Sequence, residues 1–85
     1  MSYAYLDQYG ILHIVDRKED AEKYASGEIV ETDIPNGGGY PEVDGKHIIV
    51  YVKDDKYKVN GTEYPLDTNF MKKYPDIMAL VNELK

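Results

Sequence analysis

The sequence predicts an α+β domain: a mainly antiparallel sheet of five or six short strands, a short helix after the first hairpin, and a C-terminal helix packed on one face. Three observations lead there. Tyr3–Leu6 and Ile11–Val15 are β-rich runs around Asp7-Gln8-Tyr9-Gly10, a turn with Asp at its start and Gly at its end. Asp44-Gly45 and Asn60-Gly61 supply the positive φ angles of two-residue hairpins. Phe70, Tyr74, Ile77, Val81 and Leu84 recur at alternating four- and three-residue spacing, which is one stripe of a helix.

Taken in order, a four-residue loop in the first hairpin sets Leu6 against Ile11, Tyr5 against Leu12, Ala4 against His13 and Tyr3 against Ile14. Asp16 with Glu19 three residues on reads as a capping box opening a helix over 17–26, with Gly27 placed for a left-handed C-terminal cap. The apolar face of that helix is only Ala21, Tyr24 and Ala25, so it should lie lightly on the sheet. Glu28–Ile34 alternates as a half-exposed acidic strand ended by Pro35. The following Asn36–Pro41, with three consecutive glycines, reads as a flexible loop. Ile48–Val52 is apolar on both faces and predicts a central strand within His47–Lys53.

The Asn60-Gly61 turn fixes a register of Val59 with Thr62, Lys58 with Glu63 and Tyr57 with Tyr64. Upstream, a strict two-residue turn at Asp54-Asp55 would set Lys53 against Lys56, which leaves that loop open. Pro75 sits inside the C-terminal stripe. A proline in a helix interior costs ~3 kcal/mol, so the expectation is one turn ending near Tyr74 and a second helix with Pro75 at its first position.

Length and composition bound the function. The 85 residues suit a single domain over 1–85, and a domain of this size buries only about 60–65% of its unfolded surface, leaving little room for a deep cavity. No Cys is present, which excludes disulfides, thiolate metal sites and a cysteine nucleophile. No apolar run approaches the ~20 residues that span a bilayer, and no basic-then-apolar leader is seen, so the expectation is a soluble cytoplasmic protein without a membrane partner. The net charge is −6. It is unevenly placed: residues 1–45 hold three basic and ten acidic side chains, a net of −7, and residues 46–85 hold seven and six, a net of +1. The acidity weighs against tight binding to duplex nucleic acid.

Catalytic signatures are missing. His13 and His47 fall in strands with no third ligand at metal-binding spacing, and no Gly-x-Ser-x-Gly elbow surrounds Ser2 or Ser26. Gly37-Gly38-Gly39 matches neither a Walker loop nor a dinucleotide fingerprint, and Glu31, Asp33, Glu42 and Asp44 nearby would repel phosphate. Its functional reading is a peptide-contacting loop of Gly38 and Gly39 with Tyr40 as anchor.

Nine tyrosines against one Phe are the least ordinary feature. Tyr is a strand former, and it is also enriched at protein interfaces and serves as a base-stacking platform. The expectation is therefore a small non-catalytic protein-binding or regulatory module without cofactor or metal, meeting a basic partner through its acidic first half and exposed tyrosines. The second reading is weak single-stranded nucleic-acid binding through Tyr51, Lys53, Lys56, Tyr57, Lys58 and Tyr64 on a Lys/Tyr face of residues 46–64. The C-terminal stripe either covers the sheet or forms a dimer seam, so monomer and homodimer both stay open.

Overall fold

A computed structural model describes all of residues 1–85. The α+β class is as the sequence predicts, but the chain divides into nine short antiparallel strands in three small sheets. In the first sheet β1 (Ser2–Leu6) lies between β2 (Leu12–Val15) and β3 (Ile29–Thr32). The second sheet joins β4 (Asn36–Gly37), β5 (Tyr40–Val43) and β6 (Lys46–His47). The third joins β7 (Ile49–Tyr51), β8 (Lys56–Val59) and β9 (Thr62–Pro65). Helix α1 (Lys18–Tyr24) follows the first hairpin, and α2 (Thr68–Lys73) and α3 (Pro75–Leu84) close the chain.

The first hairpin is shifted by one residue from the expected register: Leu6 pairs with Leu12, Tyr5 with His13, Ala4 with Ile14 and Tyr3 with Val15. The cause lies in the loop. Asp7 N–H donates to Ile11 O and Gly10 N–H donates to Asp7 O, both at 3.0 Å, so Asp7 and Ile11 already pair and only three residues are left to turn. Gly10, at φ +79°, takes the left-handed position that this turn-plus-bulge loop requires. The side chain of Asp7 fixes the turn from inside, accepting from Tyr9 N–H at 2.8 Å and Ile11 N–H at 3.0 Å. A one-residue slip exchanges the faces of a strand pair. Ala4, Leu12 and Ile14 consequently share the fully buried face, while Tyr5 and His13 share the other.

Helix α1 is shorter than the 17–26 expected, and Asp16 does not cap it. Arg17 is the capping residue and offers no side-chain bond, while Asp16 accepts instead from Asn36 Nδ2 at 2.9 Å, a tertiary contact that outcompetes the local one. At its other end the cap is Ala25 in an extended conformation, and Gly27 is not among the residues with positive φ.

The Gly-rich segment is a hairpin rather than a loop. Gly38 and Gly39 at φ +63° and +94° make a two-residue turn that pairs Gly37 with Tyr40 and Asn36 with Pro41. Gly39 O then accepts from Ile14 N–H at 3.0 Å, which joins this hairpin to the open side of β2. The run expected as one central strand is broken at Ile48, whose N–H turns to Pro41 O while its side chain is fully buried. As a result β7 lies at the side of its sheet and β8 at the centre. A 3-10 turn over Val52–Asp54, with Asp55 left-handed, sets Tyr51 rather than Lys53 against Lys56.

The Asp44-Gly45 and Asn60-Gly61 turns and the whole β8–β9 register match the sequence reading. So does the helix break, with Pro75 in the first turn of α3. Asp67 caps α2 by accepting from the N–H groups of Asn69 and Phe70. Phe70, Ile77 and Val81 of the helical stripe are buried in one cluster with Ala4, Leu12 and Ile14, so the stripe completes the core. No helix is long and apolar enough to cross a membrane.

Candidate functional site

The Lys/Tyr neighbourhood of residues 46–64 is divided by the pleat. Residues of β8 alternate between faces, with Tyr57 and Val59 buried and Lys56 and Lys58 partly exposed. Tyr51 pairs with Lys56, so Tyr51, Lys56 and Lys58 share the outer face, and Lys56 Nζ stands 5.4 Å over the Tyr51 ring. Tyr57 is only 6% exposed and stacks between Phe70 at 4.6 Å and Tyr64 at 5.3 Å, on the opposite face. Burial, followed by the neighbouring Tyr74 and Tyr64, pushes its phenol above the usual tyrosine range. The lysines are also partly committed. Lys56 meets Glu63 at 3.4 Å, diagonal to the Lys58–Glu63 pair of the register, and Lys53 Nζ donates to Gln8 O at 3.3 Å.

Of the nine tyrosines only Tyr9, Tyr24 and Tyr64 are strongly exposed. Tyr9 and Tyr24 border a groove of about 630 Å³ with Tyr5 and His13 at its base and Lys23 on its rim. His13 is stacked between Tyr5 and Tyr40, at 5.2 and 5.1 Å, and its Nε2 meets Asp7 Oδ2 at 2.6 Å. Partial burial opposes ionisation of Asp7, but the hydrogen bonds from His13, Ile11 N–H and Tyr9 N–H outweigh it and hold the carboxyl below its ordinary range. Burial, then the Asp7 charge, pushes the Tyr5 phenol up. Ser26, on the same groove, spends its hydroxyl on Leu6 O at 2.9 Å. Tyr40 is thus a half-buried partner of His13, while Gly38 and Gly39 beside it form the hairpin turn. His47 is on a separate strand beside Glu42 at 3.7 Å, and no group of three or more His, Asp or Glu side chains is placed to hold a metal ion.

A second groove, of about 710 Å³, opens between the stretch from β3 to β4, the β5–β6 turn and α3. Its base is apolar: Ile34, Val43, Tyr74, Ile77 and Leu80, all but Ile77 and Leu80 only partly buried. Around it stand six carboxylates, Glu31, Asp33, Glu42, Asp44, Asp76 and Glu83, against a single ammonium, Lys73. Only Glu42 of the six has a basic partner, the His47 just described. Four of these acids belong to the acidic first half seen in the sequence. Asp76 and Glu83 do not. Both are exposed on α3, seven residues apart and therefore two turns along one side of the helix. A helix stripe that marks the core also marks which polar residues stand beside it, but only the docking of α3 against β3 tells that these two face the first-half acids.

The chain matches no protein-family model, no curated protein and no solved structure.

Proposed function

We propose that this domain is a non-catalytic binding module that receives a basic segment of another protein in the groove between β3, the β5–β6 turn and α3. The observation that carries the reading is the six-to-one excess of carboxylates over ammonium groups around an apolar base. Carboxylates held close together with few counter-charges make the local potential strongly negative, which steers cations and accelerates encounter. The apolar base then gives a docked segment surface to bury, which charge alone does not supply. The tyrosines contribute less than their number suggests, because most are half-buried or buried.

Fluorescence anisotropy with a labelled Lys/Arg-rich peptide tests this. Binding is expected at low salt, weakening as salt rises. A variant carrying Asp33→Asn, Asp76→Asn and Glu83→Gln should lose most of it while retaining its melting profile. Binding unaffected by that triple change would place the contact elsewhere and overturn the reading. A labelled single-stranded oligonucleotide in parallel tests the alternative face of Tyr51, Lys56 and Lys58, whose three side chains are the part of the Lys/Tyr neighbourhood that lies together.

A further inference from the structure

Where the backbone of each strand points decides how a partner can be held. In an antiparallel pair, alternate residues of a strand direct both N–H and C=O to the same neighbour. Asp7 N–H bonds Ile11 O, so Tyr3 and Tyr5 of β1 serve β2. Leu6 O turns the other way and accepts from Ser26 N–H at 2.9 Å, so Ala4 and Ser2 serve β3 through Val30 and Thr32. The N–H and C=O groups of Ile29 and Glu31 therefore point away from the sheet, and β3 has no second neighbour.

Other strand margins are closed or offer less. Ile14 N–H on β2 is taken by Gly39 O, and Val52 N–H beyond β7 by Gly10 O. The outer side of β9 shows only Glu63 and Pro65, and proline has no N–H to give. The β3 margin is thus the four-residue strand margin that offers two N–H groups as well as two C=O groups, and Glu31 and Thr32 at its end also line the acidic groove.

We infer that the partner binds as an added strand on β3, an extended segment alternating basic and apolar residues. This rests on the proposed binding of a basic segment and specifies its form. Alternation follows from the pleat. Ile29 and Glu31 lie on one face of β3, where an added strand's basic side chains meet the Glu31 carboxylate, with Asp33 just past the strand's end. Val30 and Thr32 lie on the other, and Thr32 with the following Ile34 lines the groove whose apolar base includes Tyr74, Ile77 and Leu80. Main-chain hydrogen bonds hold such a segment while the alternate side chains select it. A second copy of this chain is a poor occupant, because pairing β3 with itself brings Glu28, Glu31 and Asp33 of both copies together and like charges across strands are destabilising.

The probe is an end-blocked Lys-Val-Lys-Val-Lys-Val peptide, titrated into the ¹⁵N-labelled protein, together with two versions N-methylated on either all Lys or all Val amides. Only every second amide of an added strand faces β3. One methylated version should therefore bind about tenfold or more weakly and the other within about twofold of the parent, given the loss of a few hydrogen bonds in one case and none in the other. The amides of Ile29 and Glu31 should become protected from exchange on binding of the parent. If both methylated peptides bind as the parent does, or both weaken equally, strand addition is wrong while binding of a basic segment stands. If the parent fails to bind even at low salt, both fall. Protection of Ile29 and Glu31 that grows with protein concentration without peptide would identify a second copy and overturn the inference.

Discussion

Replacing Asp7 by Ala removes the side chain that ties the first turn together, and its cost is open to a worked expectation. Three bonds go: Oδ1 with Tyr9 N–H and with Ile11 N–H, and Oδ2 with His13 Nε2. Bonds to a charged acceptor contribute about 1.5–3 kcal/mol each when well sheltered. The Tyr9 bond is exposed and adds little, whereas Asp7 and His13 side chains are only 19% and 18% exposed. A loss of about 2–4 kcal/mol at neutral pH follows, large beside the roughly 5–15 kcal/mol of a typical domain. The pH dependence has a definite sign. The folded-state pKa of Asp7 is lowered, so the native state favours the ionised form, and its contribution is complete above the ordinary carboxylate range. That contribution fades as pH falls through the ordinary range and is lost below the lowered folded-state pKa. Urea unfolding of wild type and Asp7→Ala at neutral and strongly acidic pH measures both quantities. A difference under about 1 kcal/mol at neutral pH, or one that stays constant into acid, would refute the assignment of the turn's stability to an ionised Asp7.

Phe70→Ala should cost about 3–5 kcal/mol in urea unfolding, because its ring is fully buried against Tyr57 and Tyr74 and leaves a cavity. Asp67→Ala should cost about 1 kcal/mol, read by the same measurement, through loss of the cap bonds to Asn69 and Phe70 N–H. Gly39→Ala should destabilise by about 1–2 kcal/mol, since φ is +94° there, and should speed exchange of the Ile14 amide that Gly39 O holds. A thermal melt and an exchange measurement check the two parts separately.

What was legible in the sequence is what short-range chemistry decides. Asn60-Gly61 permits one register, and the three pairs that follow from it form. Pro75 cannot continue a helix but can start one, so α2 and α3 divide where they must. Less was legible where two local solutions differ by little. Asp7-Gln8-Tyr9-Gly10 accommodates a three- or a four-residue loop, and the choice rests on bonds that Asp7 Oδ1 accepts from Tyr9 and Ile11 N–H, which composition does not display. The residues next to Gly38-Gly39, Pro35-Asn36-Gly37 before and Tyr40-Pro41 after, carry no hydrophobic alternation, so the hairpin is hidden. The candidate binding residues divided in the same manner. Tyr57 and Lys56 are neighbours in sequence and opposite in facing, while Asp76 meets the acids of β3 only through helix docking.

Between the sheets, backbone bonds join Ile14 with Gly39, Ile48 with Pro41 and Val52 with Gly10, the last beside an antiparallel bridge between Ile11 and Tyr51. An isolated hairpin is marginal in water, so each becomes stable only as the shared core around Phe70 and Leu12 assembles. Ala4 and Leu12 of the first sheet, Val43 of the second and Val50 and Tyr57 of the third pack in that same core, so no hairpin leaves without opening it. Amide exchange should accordingly show the core strands of all three sheets protected together, with Ile14, Ile48 and Val52 reporting the joints between them.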